Sequence, residues 1–489
     1  MTDLAVSIDT ALVVATEPVA ALERLRVPYA VLGAGPTPVR GAASLVVLAS
    51  PGSADGPSLS FPRAIDPASA CTGPCTFGRL PVYAPVMTDA AAEALLRDTA
   101  RVWNRERPIF DAAGRTVGSS WSSADGSVFL PFDPDDAVLS LESERYRADA
   151  EGARRRSVRR FAKSSYYAAR PLLPRRAQLW LRRRLRRLQE RSRFPRYPFD
   201  AATLQLDELV VGYAARIVGQ ALPAIAPWPA PHRWALVLTH DVETQVGHDA
   251  VAILTRVERR LGLRSSWNFV PERYRIDPTV LEGLRTDGFE IGVHGLRHDG
   301  RDLASLETLN ARLPAMRAAA TAWGAVGFRS PATHRVYDWM PTLGFAYDSS
   351  YPDTDPYEPQ PGGCCAILPF FNQAMVELPI TMPQDHTLFE ILGHHDEASW
   401  VQKAAALREA GGMCLMITHP DYMLDPFRVA AYTRFLEDAL THEPWCALPR
   451  DAADWWRDRA GSRIVRTPEG WRVDGPAHDR AAIRMCDPQ

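Results

Sequence analysis

The stretch WALVLTHDVE, residues 234–243, runs five apolar residues straight into a histidine and two acids. A short continuous apolar run of this kind reads as a strand buried on both faces, the pattern of a parallel sheet. Asp241 and Glu243 stand two apart, so on an extended strand end both side chains point to the same face. Further runs of this type occur at 266–270, 289–293, 326–328, 345–347, 375–378 and 413–417. Helical patterns at 248–263, 278–287, 305–323, 336–343 and 399–410 separate most of them. Strands alternating with helices in this way predict a barrel-like parallel α/β domain.

In parallel barrels the working residues sit just beyond the C-terminal ends of the strands. After the first run comes Thr239-His240-Asp241-Val242-Glu243, and after the third His294-Gly295-Leu296-Arg297-His298-Asp299. The fourth is followed by Arg329-Ser330-Pro331, the fifth by Asp348-Ser349-Ser350 and the last by Thr418-His419-Pro420-Asp421. Polar and ionisable groups thus converge on one mouth. If the chain turns helical after the third strand, His294 and His298 share a face and can meet on one ion. Two imidazoles and a carboxylate suit Zn²⁺ or a similar ion and leave a position for water. One of Asp241 and Glu243 can bind the metal while the other works on the water. Arg329, two residues before a proline, is placed to fix a carboxylate by bidentate hydrogen bonds. His419, between an apolar strand and Pro420, reads as a general acid.

The remainder of the chain carries less chemistry. A length of 489 residues exceeds one typical core, so at least two domains are expected. A net charge of -2 with 46% hydrophobic residues fits a globular protein and argues against a nucleic-acid partner. Residues 1–150 read as a small α/β domain, with apolar runs at 29–32 and 45–49 and helical pattern at 90–105. Its Gly-Ala-Gly at 33–35 is too short for a phosphate loop. Residues 151–230 combine an arginine-rich segment with a Pro-rich connector, LPAIAPWPAPHR, that enters the barrel of 231–460; residues 461–489 read as a β-hairpin turning at TPEG. Within 154–196 stand seventeen Arg or Lys against the single acid Glu190. That segment reads either as a solvated helix with arginine stems over apolar surface or as a peripheral contact on an anionic membrane face. Seven scattered cysteines, no basic stretch before the first apolar run and no apolar run long enough to span a bilayer give a cytoplasmic expectation.

Taken in order, these blocks resemble the polysaccharide deacetylases of carbohydrate esterase family 4, over roughly residues 230–450. The resemblance implies a distorted (β/α)7 barrel; the smaller α/β domain that precedes it lies outside the resemblance. The family opens with Thr-Phe-Asp-Asp, where the first acid is the base and the second binds metal. Here Asp241 matches the base, while Val242 stands in the second acid's place. A subgroup uses Asp-x-Asp or Asp-x-Glu, which would make Glu243 the ligand and leaves the division of labour between the two acids open. His294 and His298 match the metal histidines; Arg329 and Pro331 match an Arg-x-Pro motif whose arginine braces the base; His419 matches the histidine that protonates the leaving amine. For the Asp-Trp motif, Asp348 is at the comparable strand end, and Asp338-Trp339 lies a helix too early. The segments GFRSPATHR, ELPITMPQDHTLF and THPDYM resemble a subgroup that accompanies exopolysaccharide or cell-envelope synthesis. By that resemblance Asp385 and His386 line the substrate cleft.

The implied reaction is removal of acetyl groups from an N-acetylated glycan. A divalent metal, Zn²⁺ with Co²⁺ or Mn²⁺ as alternatives, would be held by Glu243, His294 and His298. The oxyanion would meet a backbone N–H near Pro331–Thr333. Two alternatives stand beside this reading: hydrolysis of a small amide or cyclic imide at the same metal, and an inactive carbohydrate-binding protein, for which Val242 is the support.

Overall fold

The apolar runs do build a parallel sheet, and its strands are short. The computed structural model describes residues 14–15, 18–31, 42–46, 57–99, 101–147, 184 and 194–488. Nine strands matter for the site: β1 (Ala235–Val242), β2 (Ser266–Phe269), β3 (Glu290–Val293), β4 (Gly327–Phe328), β5 (Tyr347–Asp348), β6 (Phe370–Asn372), β7 (Met375–Glu377), β8 (Met413–Thr418) and β9 (Trp445–Ala447). They are ordered β6-β7-β5-β4-β3-β2-β1-β8, with β9 also paired to β1. Every pairing is parallel except β6 with β7. All residues of β1, β2, β3 and β8 are buried, as expected of a sheet with crossovers on its faces.

The crossovers are α1 (Val251–Arg260), α2 (Pro278–Thr286), α3 (Leu306–Trp323), α4 (Ala398–Glu409) and α5 (Pro426–Leu440). Side-chain caps start three of them: Asp277, Ser305 and Asp425 each accept a backbone N–H of the first turn. Two expected helices are cut short. The pattern over 248–263 divides into Gln245–Asp249 and α1 at Ala250, and that over 336–343 shrinks to the tight turn Met340–Leu343. Pro341 explains the second, because it removes an N–H donor and disfavours helical geometry in the residue before it.

The expected seven-strand barrel departs from regularity at one seam. Leaving β9 aside, seven strands run parallel, yet no ladder joins β7 to β8 among the described residues. Extended residues 380–382 lie between them instead. Ile380 donates its N–H to Tyr351, and Met382 donates to the carbonyl of Leu415. The Thr381 hydroxyl donates to the Met413 carbonyl and accepts the Leu415 N–H at 2.8 Å. On the outer side of the sheet, Leu309, Leu313 and Met316 of α3 pack with Val293, Phe328 and Met340.

By chain contacts the molecule divides into two compact units, Ala153–Ala201 with Pro231–Trp456, and Met1–Gly152 with Ala202–Ala230 and Arg457–Gln489. The stretch read as a connector is therefore in part a strand. Leu222–Pro229 pairs antiparallel with Ala481–Cys486, where a two-stranded ribbon tolerates the missing N–H groups of its prolines. Arg463–Thr467 and Gly470–Asp474 form the hairpin about TPEG. A nine-stranded mixed sheet forms the body of this unit. The helix expected at 90–105 ends at Arg97, and Trp103 already begins a strand. Gly33–Gly35 and, but for Arg184 and residues 194–196, the arginine-rich segment 154–196 lie outside the described residues. No described helix is long and apolar enough to cross a membrane.

Candidate active site

Alternation along β1 decides which side chains reach the mouth. His240 points away from it, between Thr418 Oγ1 and Glu258 Oε1, each 2.7 Å from a ring nitrogen. Asp241 and Glu243 point the other way, as the two-residue spacing requires. Asp241 is buried. Its Oδ1 accepts from Asn268 Nδ2 at 2.8 Å and from Arg329 Nη1 at 3.1 Å, while Oδ2 faces His294 Nε2 at 3.8 Å. Burial alone would raise its pKa; Arg329, His294 and His419 outweigh that and bring it to about 2.

Arg329 is 1% exposed and spends its fork on fixed acceptors. Nε donates to Ser349 O at 2.7 Å, Nη2 to Ser349 Oγ at 2.8 Å, and Nη1 to Thr239 Oγ1 as well as Asp241. The guanidinium gives the aspartate a single hydrogen bond, where the sequence suggested a bidentate one. The rest of the fork anchors it to Ser349, just beyond β5, and to Thr239 of β1.

Glu243, His294 and His298 bring one ligand atom each within 4.8 Å of one another. The two histidines do not share a helix, however. Gly295 and His298 have φ of +62° and +53°, so a left-handed loop, and not the α-helical face expected from the spacing, brings the rings to 5.0 Å between centroids. A side chain at Gly295 would strike Pro331 and Asp302, so the glycine permits both the turn and the close approach.

Nδ1 of His294 donates to the Arg329 carbonyl at 3.1 Å, which leaves Nε2 as the lone-pair nitrogen facing the site. Burial lowers this ring's pKa to about 4. Nε2 of His294 and both ring nitrogens of His298 are buried without a hydrogen bond, although Nε2 of His298 stands 2.9 Å from Glu243 Oε1. Burial acts to raise the pKa of Glu243, but His298, His419 and His294 hold it well below the carboxylate range. An anionic carboxylate among unsatisfied imidazole lone pairs is the donor set of a divalent cation, and these residues fit one.

Opposite them, His419 follows β8. Asp385 Oδ1 meets its Nδ1 at 2.6 Å, and Asp385 Oδ2 accepts its backbone N–H at 2.7 Å. Burial acts to lower the His419 pKa, but the Asp385 carboxylate and hydrogen bond raise it to about 10. Asp385 was expected along the cleft; it is fully buried, with both oxygens on His419. His386, half-buried, stacks 4.9 Å from Tyr422, whose hydroxyl donates to Glu243 Oε2 at 3.2 Å.

Asp348 also departs from its expected place on the cleft. It is wholly buried, accepts from the Ser350 hydroxyl at 2.7 Å and shares a hydrogen bond with Glu377, its register partner on β7. Glu377 Oε1 accepts the N–H groups of Ser350 and Tyr351, both at 3.1 Å. Burial pushes both carboxyls up, Glu377 furthest, because the neighbouring Asp348 adds to its rise. Pro331 lies buried in the turn Pro331–Thr333, where Ala332 and Thr333 take φ near +50°. The N–H groups of Thr333 and His334 are bonded to Ser330 and Pro331 carbonyls.

Two contributors were given no role by the sequence. Asn268 lies inside β2, yet its register partner is Asp241, and pairing order would have found it. Asp421 accepts the Glu243 N–H at 3.0 Å and the Thr244 hydroxyl. The sequence displayed it in THPD without saying what it touches.

No protein-family model matches the chain, and no curated protein matches it. Among solved structures it is similar to a chain described as a polysaccharide deacetylase from Mycobacterium smegmatis, at 20% identity and TM-score 0.40 over 49% of this chain and 96% of that one. A probable polysaccharide deacetylase from Pseudomonas aeruginosa PAO1 shares 20% identity at TM-score 0.39, covering 53% and 98%. An allantoinase shares 18% identity at TM-score 0.38, covering 54% and 98%.

Proposed function

We propose that this chain is a metal-dependent hydrolase that removes N-acetyl groups from an amino sugar in a polysaccharide, oligosaccharide or lipid-linked glycan. The observation that carries the reading is the pairing of a held base and a charged acid across one set of metal-type donors. Glu243, His294 and His298 would hold the ion, which supplies Lewis-acid polarisation and acidifies water. This leaves Asp241 as the base. At about pKa 2 it is ionised at any working pH, and Arg329 with Asn268 fixes Oδ1 so that Oδ2 is the oxygen open to a proton. As water adds to the acetamide carbon, Oδ2 takes its proton. The oxyanion that forms is met by the Ala332 N–H, since Pro331 has none and the next two amides are engaged. When the C–N bond breaks, the His419 imidazolium gives its proton to the sugar nitrogen, and Asp385 keeps that ring charged until then. Acetate and a free amine leave. The motif resemblance supports an N-acetylated glycan as the substrate class.

The test is acetate release from N-acetylglucosamine oligomers by metal-reconstituted protein beside a folded His294→Ala variant. Release that needs His294 is the expected result. Stoichiometric metal with no acetate from any acetylated sugar would overturn the substrate and favour a small amide.

A further inference from the structure

A second concavity lies away from the metal-type donors. It encloses about 410 Å³ and is lined by Tyr197, Pro198, Tyr357, Pro383, Leu392, His394, Ser399 and Gln402. That volume falls in the range of small-molecule sites. None of the lining side chains is an acid, a lysine or an arginine, so the ligand it suits is uncharged. Two faces of chemistry meet there. Tyr197 and Tyr357 stand edge to face, 5.2 Å between centroids at 86°, and with Leu392 and the prolines they offer apolar surface. Ser399 Oγ and His394 Nδ1 share a hydrogen bond at 2.9 Å, which leaves Nε2 of that ring, the hydroxyl's second bonding position and the exposed Gln402 amide for a ligand.

Its walls are fixed from behind. The buried pair Lys403–Asp353, 2.8 Å apart, ties α4 to the loop that carries Tyr357. Within that loop Asp355 and Gly362 exchange both backbone hydrogen bonds, and Asp355 Oδ1 accepts the Tyr357 N–H at 2.7 Å. Trp400 Nε1 donates to the Pro383 carbonyl at 2.7 Å. Walls held this way need no ordering on binding, which is where much affinity is otherwise lost. The position is also telling. Pro383 lies two residues before Asp385, and Leu392 ends the helical turn His386–Leu392 that Asp385 caps. Asp385 at one end of this turn therefore touches His419, and Leu392 at the other lines the pocket.

We infer that this pocket is a carbohydrate subsite, holding a neutral sugar unit of the same glycan chain beyond the residue whose amide is cut. A pyranose ring presents apolar C–H faces and equatorial hydroxyls together, which is what paired tyrosines beside a hydroxyl, an amide and an imidazole accommodate. The assignment to the same glycan rests on the deacetylase reading; the pocket's preference for a neutral sugar does not.

The experiment titrates N-acetylglucosamine oligomers of increasing length into the full chain by calorimetry, for wild type, Tyr197→Ala and Gln402→Ala, with acetate measured separately. Gln402 is exposed on α4, so its truncation leaves the fold intact even if Tyr197→Ala does not. The expected result is affinity that rises with length in the wild type, and about a tenfold loss of that gain in each variant. Length-dependent affinity that both variants leave untouched would overturn the subsite, even with acetate released. Absence of any oligomer binding would overturn it too. Variant-sensitive binding without acetate release would uphold it and sink only the reaction.

Discussion

The two sides of the mouth bury histidines to the same depth and treat them in opposite ways. On one side His294 gives Nδ1–H to a backbone carbonyl, and burial takes its pKa down to about 4. On the other, His419 gives Nδ1–H to a buried carboxylate, and its pKa climbs to about 10. A neutral partner makes a lone-pair donor; an ionised partner makes an acid. What separates the two rings is the atom behind each, a carbonyl or a carboxylate, and not burial.

The comparison breaks first at the ligands. His298→Ala should abolish metal uptake, read by equilibrium dialysis, and with it turnover. His419→Ala should keep its full metal content and still lose about 10²–10⁴ in kcat. Equal metal loss in the two variants would erase the distinction.

A smaller effect sharpens it. Asp385→Asn should cost between about ten- and a hundredfold, the usual price of removing such a partner, while metal content holds. Its clearer mark is in the pH profile. With the carboxylate gone, only Glu243 and Asp241 still oppose burial at His419, so its pKa falls and the protonated form is lost earlier as pH rises. The alkaline limb of kcat/KM should move down from near 10. A limb that stays put would show that another group supplies the proton.

The smallest effect concerns the acids behind Arg329. Asp348 and Glu377 bind a proton more readily folded than unfolded, so their contribution to stability is complete below the ordinary carboxyl range. It is lost as pH rises through their raised folded values. Glu377→Gln carries its hydrogens without titrating. Its urea midpoint should therefore fall less than that of the wild type between pH 5 and 9, with activity nearly unchanged. Parallel curves would refute the raised titration of Glu377.

Much of the site was legible because strand ends announce it. Asp241, Glu243, His294, His298, Arg329 and His419 each follow an apolar run, and the structure gathers all six. What stayed hidden depends on contacts that no local pattern encodes. Asp385 precedes His419 by 34 positions, and the extended stretch that delivers it, 380–382, has too mixed a composition to read as a strand. Asp348 sits at a strand end like its neighbours, yet burial against Glu377 turns it from a ligand contact into a support. The helix expected after β3 failed for a different reason: positive φ at two residues produces the same convergence as a helical turn, and spacing alone does not distinguish them.

The seam between β7 and β8 ties the His419–Asp385 pair to the integrity of the fold. Residues 380–382 are stitched to β8 by one backbone hydrogen bond and one threonine hydroxyl, a sparser join than the ladders elsewhere in the sheet. Sparse joins open first in native fluctuations. Three residues further on is Asp385, so each opening of the seam also takes away the counter-charge of His419. On the deacetylase reading, the proton donor would then be only as persistent as this sparse join.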